Sequence, residues 1–447
     1  MLAVVVDGLG IGGSPGVGGQ ASVRDRAPAH KGDSPGAATA LLGCAVASTI
    51  APTGPPDATL PAPRRVLPVL VLAQLAGTAP WFAVNAVMPD LQQAFGWPAA
   101  AVGTLTSAVQ LGFIGGTLVF ALLLVADRFA ARQVFLLCSL GAALATLAAA
   151  MSAGSFASLL FWRAVTGVCL AGIYPVGMKI AAQWFPRGLG VALGLLIGAL
   201  VLGSASPHAL RALAAGWPWT TVFYAVALAS AAAGTVLVLA IPEPPRSAVH
   251  AGGLHWRALA SIWTDRRVRA SAFGYFGHMA ELYTVWVLVP AVLATRLAGA
   301  PLSWAAFAVL GVGAIGCVAG GALATRFGSA RVAGAQLAAS GLCCLLSPWA
   351  LGAGAPLFAL WLLVWGITVA GDSPQFSALT AANAPRHAVG SVLTLVNSIG
   401  FAISIVSIQL FVTLAQTLSL DRLLPWLAIG PVLGLLALRP LLRRNAG

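Results

Sequence analysis

The sequence predicts an all-α integral membrane protein with twelve transmembrane helices in two pseudo-symmetric six-helix bundles. Three observations predict it. Only 8% of the 447 residues are charged while 59% are hydrophobic, and a water-exposed surface needs roughly a quarter charged residues. Apolar stretches of about 20 residues, long enough to cross a roughly 30 Å hydrocarbon core, recur along most of the chain. Finally, a group of short elements in the first half returns about 199 residues later in the second.

Residues 1–65 are rich in Gly, Ala, Pro and Ser without periodicity and end at Arg64 and Arg65. They are expected to be a disordered extension. The start lacks the basic region of a signal peptide, and Leu41-Leu42-Gly43-Cys44 only loosely imitates a lipoprotein cleavage site. An over-called start codon is the expected explanation.

The first bundle, 66–241, contains predicted spans at 66–88, 101–125, 133–152, 157–180, 189–210 and 218–241. A polar linker, 242–269, separates it from the second bundle, 270–447. The spans of that bundle are expected at 270–294, 303–324, 332–351, 356–379, 390–414 and 423–440. At this length only helices satisfy their own backbone in lipid.

The net charge of +13 raises the possibility of a nucleic-acid partner, which the placement of the basic residues excludes. With the amino terminus inside, the cytoplasmic loops and ends receive most of the arginines, among them Arg128, Arg187, Arg266 and Arg386. The outside receives only Arg211, Arg296 and Arg422. This imbalance sets topology and predicts a bacterial inner membrane with both termini cytoplasmic. Trp97, Trp217, Trp219, Trp304, Trp349 and Trp426 fall near span ends, as interfacial aromatics do. The six cysteines lie mostly within apolar segments without metal-ligand spacing, so packing roles are expected and disulfides are not. No metal or cofactor is expected.

The repeat is specific in its register. Ala171-Gly172-x-x-Pro175 in the fourth span returns as Ala370-Gly371-x-x-Pro374 in the tenth, and Pro186-Arg187 returns as Pro385-Arg386, both 199 residues on. Ala126-Asp127-Arg128-Phe129 returns as Ala324-Thr325-Arg326-Phe327 at an offset of 198. Parallel repeats of this kind place a binding site near the midplane between the halves.

These loop elements resemble the major facilitator superfamily, whose loop between helices two and three reads Gly-x-Leu-Ala-Asp-Arg-x-Gly-Arg-Arg. The first half, from Leu123 to Arg132, lacks both glycines; the second, from Gly321 to Arg331, keeps both but has Thr325 in place of the acid. Arg163-x-x-x-Gly167 followed by Gly172 is similar to the family's helix-four motif. The resemblance covers residues 66–444 and implies alternating access, a cavity lined by helices one, four, seven and ten, and a charge latch. That gating role is carried onto Asp127, Arg128, Arg132 and Arg326, with Thr325 weakening the second latch. The antiporter signature of helix five is missing: Gly190, Gly194 and Gly198 form only a small-residue packing stripe. Nitrate-porter arginines and Gly-Asn signatures are missing too.

Of the eleven acids, only Glu281 and Asp372 fall in span interiors, where ionisable groups are costly and default to functional candidates. His278 lies three residues before Glu281, on the same helical face. Glu281, His278 and Asp372 are therefore the proton-coupling candidates, against the plainer alternative of a static pair holding the seventh span to a neighbour. Trp361, Trp365, Thr368, Asp372 and Gln375 share one face of the tenth span, and Gln74, Thr78, Trp81 and Asn85 form a similar stripe on the first. Cavity lining is preferred over interhelical hydrogen bonding for both.

In the first half, Arg163 is a candidate for binding an anion, and Tyr174, eleven residues on, is expected to face the same way. The substrate-binding candidates are thus Arg163, Tyr174, Gln74, Trp81, Asn85, Trp365 and Gln375. Lys179 is expected to snorkel to the inner surface; His208 and Arg211 are expected to be solvated at the outer end. The reading that results is a monomeric carrier taking up a small, possibly anionic solute with protons. An exporter or antiporter is the alternative within the class, and a membrane-embedded sensor or enzyme the alternative outside it.

Overall fold

Backbone amides in hydrocarbon must find partners within the chain, and the described residues meet this demand with helix alone. The structure, a computed structural model, describes residues 62–185, 189–243 and 256–443. Residues 1–61 of the expected extension, the Pro186-Arg187 element and most of the linker lie outside them, as does the side chain of Asp127.

Among the described residues, eleven helices are long and apolar enough to span a membrane: α1 Val66–Ala86, α2 Ala101–Leu122, α3 Ala131–Met151, α4 Phe156–Trp184, α5 Gly190–Leu213, α6 Thr220–Ala240, α7 Arg266–Ala294, α8 Gly299–Phe327, α10 Ala355–Asn383, α11 Arg386–Leu414 and α12 Leu420–Leu442. The twelfth, α9, occupies 329–352 but is divided at Leu346 into Ser329–Leu345 and Ser347–Gly352, where Pro348 opens the second piece. Each expected span coincides with one of these twelve.

The largest boundary differences have local causes. The α7 helix starts at Arg266, inside the expected linker, because Asp265 caps it: its Oδ1 accepts from the N–H groups of Arg267 at 2.7 Å and Val268 at 3.0 Å. The loop after α2, which lacks the family's glycines, still turns left-handed, with Leu124 at φ 52°. That conformation costs a non-glycine residue about 1–2 kcal/mol.

Both bundles belong to one compact unit, and their internal packing repeats. Helix α1 packs on α5 and α6, as α7 does on α11 and α12; α2 packs on α4, as α8 does on α10; α3 packs on α6, as α9 does on α12. Glycine makes the α2–α4 and α8–α10 approaches possible. A Cβ on Gly167 would lie 2.0 Å from the Val109 carbonyl oxygen, and one on Gly366, 199 residues later, 2.1 Å from that of Val309. The halves meet along α2–α11 and α5–α8. The expected α5 stripe is corrected here: a Cβ on Gly190 or Gly194 would meet open space, and only Gly198 approaches α8, at Ala314 and Val318.

Candidate functional site

Helices α1, α4 and α10 are each interrupted beside a proline that removes an N–H from the ladder, whereas α8 is interrupted at Val312 without one. In α1, Ala79–Phe82 is a 3-10 turn containing Pro80. In α4, Ala171–Ile173 is non-helical ahead of Pro175, with the N–H of Gly172 donating to Cys169 O at 2.9 Å. In α10, the helix breaks at Asp372 ahead of Pro374. The sequence repeat Ala-Gly-x-x-Pro is thus a repeated helix break.

These breaks border a cavity between the halves, lined by α1, α2, α4 and α5 on one side and α7, α10 and α11 on the other, with about 210 Å³ open to the centre of a water-sized molecule. It reaches the end of the bundle where α1 and α11 begin and α2 ends, the basic end, and His387 and Ser391 stand at its mouth. The opposite end is blind. Its roof is aromatic: the Trp81 ring lies 4.9 Å from Phe113, 5.7 Å from Phe401 and 6.1 Å from Tyr283. Between roof and mouth the wall offers Tyr174, Lys179, Ser373, Ser377 and Asn397. Among the described lining residues there is no carboxylate.

Beyond the roof, α2 and α11 are joined directly. Gln409 Nε2 donates to Ser107 Oγ at 2.8 Å, and Ser404 Oγ donates to Gln110 Oε1 at 3.2 Å.

Of the substrate-binding candidates, Trp81 and Tyr174 line the cavity. Arg163 does not. Its Nη1 donates to Pro80 O at 2.7 Å and its Nη2 to Trp81 O, wholly within the first bundle. The break at Ala171–Ile173 shifts the helical register, so Arg163 and Tyr174 do not share a face as eleven residues of continuous helix would require. Gln74 is fully buried beside Gly177, and Asn85 Nδ2 donates to Thr106 Oγ1 at 2.9 Å; neither lines the cavity. Nor do Trp365 and Gln375, both buried within the second bundle.

The three titratable candidates separate into two sites. His278 Nδ1 stands 2.8 Å from Asp372 Oδ1, with both side chains buried, so α7 is joined to the α10 break. Tyr275 and Met279 on α7, and Ser373 on α10, place cavity wall immediately beside this pair. Glu281 is held elsewhere: its Oε1 accepts from Ser340 Oγ at 2.5 Å, Trp365 Nε1 at 2.8 Å and Cys344 Sγ at 3.1 Å. It therefore faces α9 and α10, and the shared helical face does not join His278 to Glu281.

Arg132 donates to Val238 O at 3.2 Å, to Ile241 O and to Glu243 Oε1 at 2.8 Å, fastening α3 to the end of α6 inside the first bundle. Arg128 and Arg326 are exposed, and the Arg326 guanidinium lies 5.3 Å from the Phe327 ring centre. Three further expectations change. Lys179 is buried and lines the cavity instead of snorkelling outward. His208 is buried, and Arg211 pairs with Asp90 at 2.7 Å.

Sequence reasoning missed Tyr275, Tyr283, Trp286, Phe113 and Phe401 as cavity residues. They sit in runs so uniformly apolar that periodicity does not tell a cavity face from a lipid face.

The sequence profile of the Major Facilitator Superfamily matches residues 70–408. The chain is 31% identical over 163 residues to the 3-(3-hydroxy-phenyl)propionate transporter of Escherichia coli (strain K12), an alignment covering 36% of this chain and 39% of that protein. It therefore spans well under half of that relative's length. Solved structures share the fold. The human organic anion transporter MFSD10 (TETRAN) aligns with TM-score 0.63 and 18% identity over 84% of this chain and 99% of that one. A bacterial homolog of the human lysosomal transporter Spinster, inward-facing and unoccupied, aligns with TM-score 0.65 and 16% identity over 86% and 98%.

Proposed function

Because the chain belongs to the major facilitator superfamily, we propose that it carries a small organic anion by alternating access, with the proton as its coupling ion. The observation that carries this reading is the cavity's charge and its division along its length. Lys179 and His387 line it toward the open end, and an aromatic roof closes the blind end. An anion whose carboxylate lies toward Lys179 meets a charge-assisted hydrogen-bond donor, while its apolar part rests on Trp81 and Phe113. The relative's named solute, a phenylpropionate, has this two-ended chemistry.

Proton coupling is assigned to His278 and Asp372. Binding a proton to this buried pair changes the charge that joins α7 to the α10 break, and a proton shared across two cavity-lining helices biases which end is open. Glu281, enclosed by donors from α9 and α10, is assigned to holding α7 in place. With the basic end cytoplasmic, the cavity is open inward, and symport with protons moving down an inward gradient makes the net direction uptake.

Reconstituted protein tests the reading through uptake of aromatic and aliphatic monocarboxylates, with 3-(3-hydroxyphenyl)propionate as a probe, with and without an inward proton gradient. Gradient-driven accumulation is expected, and Lys179→Gln should raise KM about tenfold, the effect of losing one charged hydrogen bond. Preference for cations or neutral sugars would overturn it.

A further inference from the structure

Among the described arginines and lysines of the first bundle, Arg163 is the most deeply buried, at 2% exposure, yet it forms no ion pair with a described carboxylate. Both terminal nitrogens are spent on consecutive backbone carbonyls, those of Pro80 and Trp81. These two residues lie in the 3-10 turn of α1, and short 3-10 stretches within longer helices often mark hinges.

The same turn carries the contacts that close the blind end. Trp81 stacks toward Tyr283 and Phe401 of the second half. Phe82 lies parallel to Tyr283 at 6.2 Å and edge-on to Trp286 at 5.4 Å. A four-residue segment of the first bundle thus supplies two rings to the second, and its backbone is gripped from behind by one guanidinium. Arginine suits this task because its planar fork addresses two acceptors at fixed geometry. The equivalent position 199 residues on is Leu362, so the grip is one-sided.

We propose that Arg163 is a positioning residue for the aromatic closure: it fixes the Pro80–Trp81 backbone so that Trp81 and Phe82 seal the cavity against α7 and α11, and it does not touch the solute. The inference rests on the alternating-access reading, while its test needs neither solute nor proton gradient.

The reporter is a cysteine pair, Ser107→Cys with Gln409→Cys, across the α2–α11 seam beyond the roof, cross-linked in the full-length protein in liposomes and identified as the joined peptide. With Arg163 present the pair should cross-link readily. Arg163→Gln should lower the yield about tenfold, the factor expected for the loss of a hydrogen bond to a charged group. Arg163→Lys, which keeps the charge but loses the fork, should fall between them, and it stands in if the glutamine variant does not fold. In uptake, both variants should lower the maximal rate, and because Trp81 also meets the solute, any rise in the KM for the monocarboxylate should accompany the loss of cross-linking. Unaltered cross-linking in either folded variant overturns the proposal; an altered KM with intact cross-linking assigns Arg163 to the solute instead. If wild-type protein carries no anion but the cross-linking still responds to Arg163, the closure stands and the assigned substrate fails.

Discussion

The two bundles share a scaffold and divide the chemistry. At the crossing of α2 with α4 and of α8 with α10, Gly167 and Gly366 stand in equivalent places and admit a neighbouring carbonyl in the same way. One helical turn before each glycine the halves part company: the first has Arg163, the second Leu362. At the helix break the difference reverses, with Ile173 in the first half and Asp372 in the second. The first bundle thus uses buried Arg163 on its own backbone, and the second joins two helices through a buried acid and histidine. Packing residues are kept at a fixed offset because both crossings need them, whereas ionisable residues are free to specialise.

The comparison breaks most visibly at Asp372. Asp372→Ala leaves His278 buried without its hydrogen-bond partner, a change that costs about 1–3 kcal/mol, and pH-driven uptake should vanish with it. Thermal unfolding of purified protein and proton-gradient uptake read the two effects, and full coupling in a folded variant would return the pair to a static role. Next in size are Gly167→Val and Gly366→Val. Each forces side-chain atoms into a backbone carbonyl and should destabilise by about 1–3 kcal/mol. Similar losses in melting temperature would support mechanical equivalence; a loss confined to one half would end it.

A smaller change is expected at Glu281→Gln, since the amide oxygen still accepts from Trp365 and Ser340. About 1 kcal/mol is expected, with coupling retained, and loss of the pH dependence would move the proton site from Asp372 to Glu281. Glu243→Gln should be smallest. Glu243 is 55% exposed in its pair with Arg132, such pairs contribute about 0.2–1 kcal/mol, and Arg132 keeps its carbonyl partners on α6; a larger fall in melting temperature would show that the pair does more than cap the bundle.

The scaffold was legible because its determinants are local: an apolar run of sufficient length is a span whatever surrounds it, and Gly172-x-x-Pro175 announces a break wherever it sits. Orientation about the helix axis was less legible. The stripe on α1 was read as one surface, yet Gln74 and Asn85 turn into the bundle while Trp81 reaches the cavity. The 3-10 turn at Ala79–Phe82 changes the register between them, and Pro80 was its available signal. On α4, the break that correctly marked the repeat also invalidated the continuous helix used to pair Arg163 with Tyr174. The partners of Glu281 and Arg211 were out of reach, since Ser340 and Asp90 lie 59 and 121 residues away and only the assembled fold brings them close.

The α2–α11 seam has a consequence for turnover. Its two side-chain hydrogen bonds, Gln409 to Ser107 and Ser404 to Gln110, are between neutral groups, and in bilayers such bonds are worth about 0.6 kcal/mol each. Parting them strands no charge in hydrocarbon. An unloaded carrier with so lightly fastened a lid can swing back empty, and that return stroke separates net accumulation from mere exchange of one solute molecule for another.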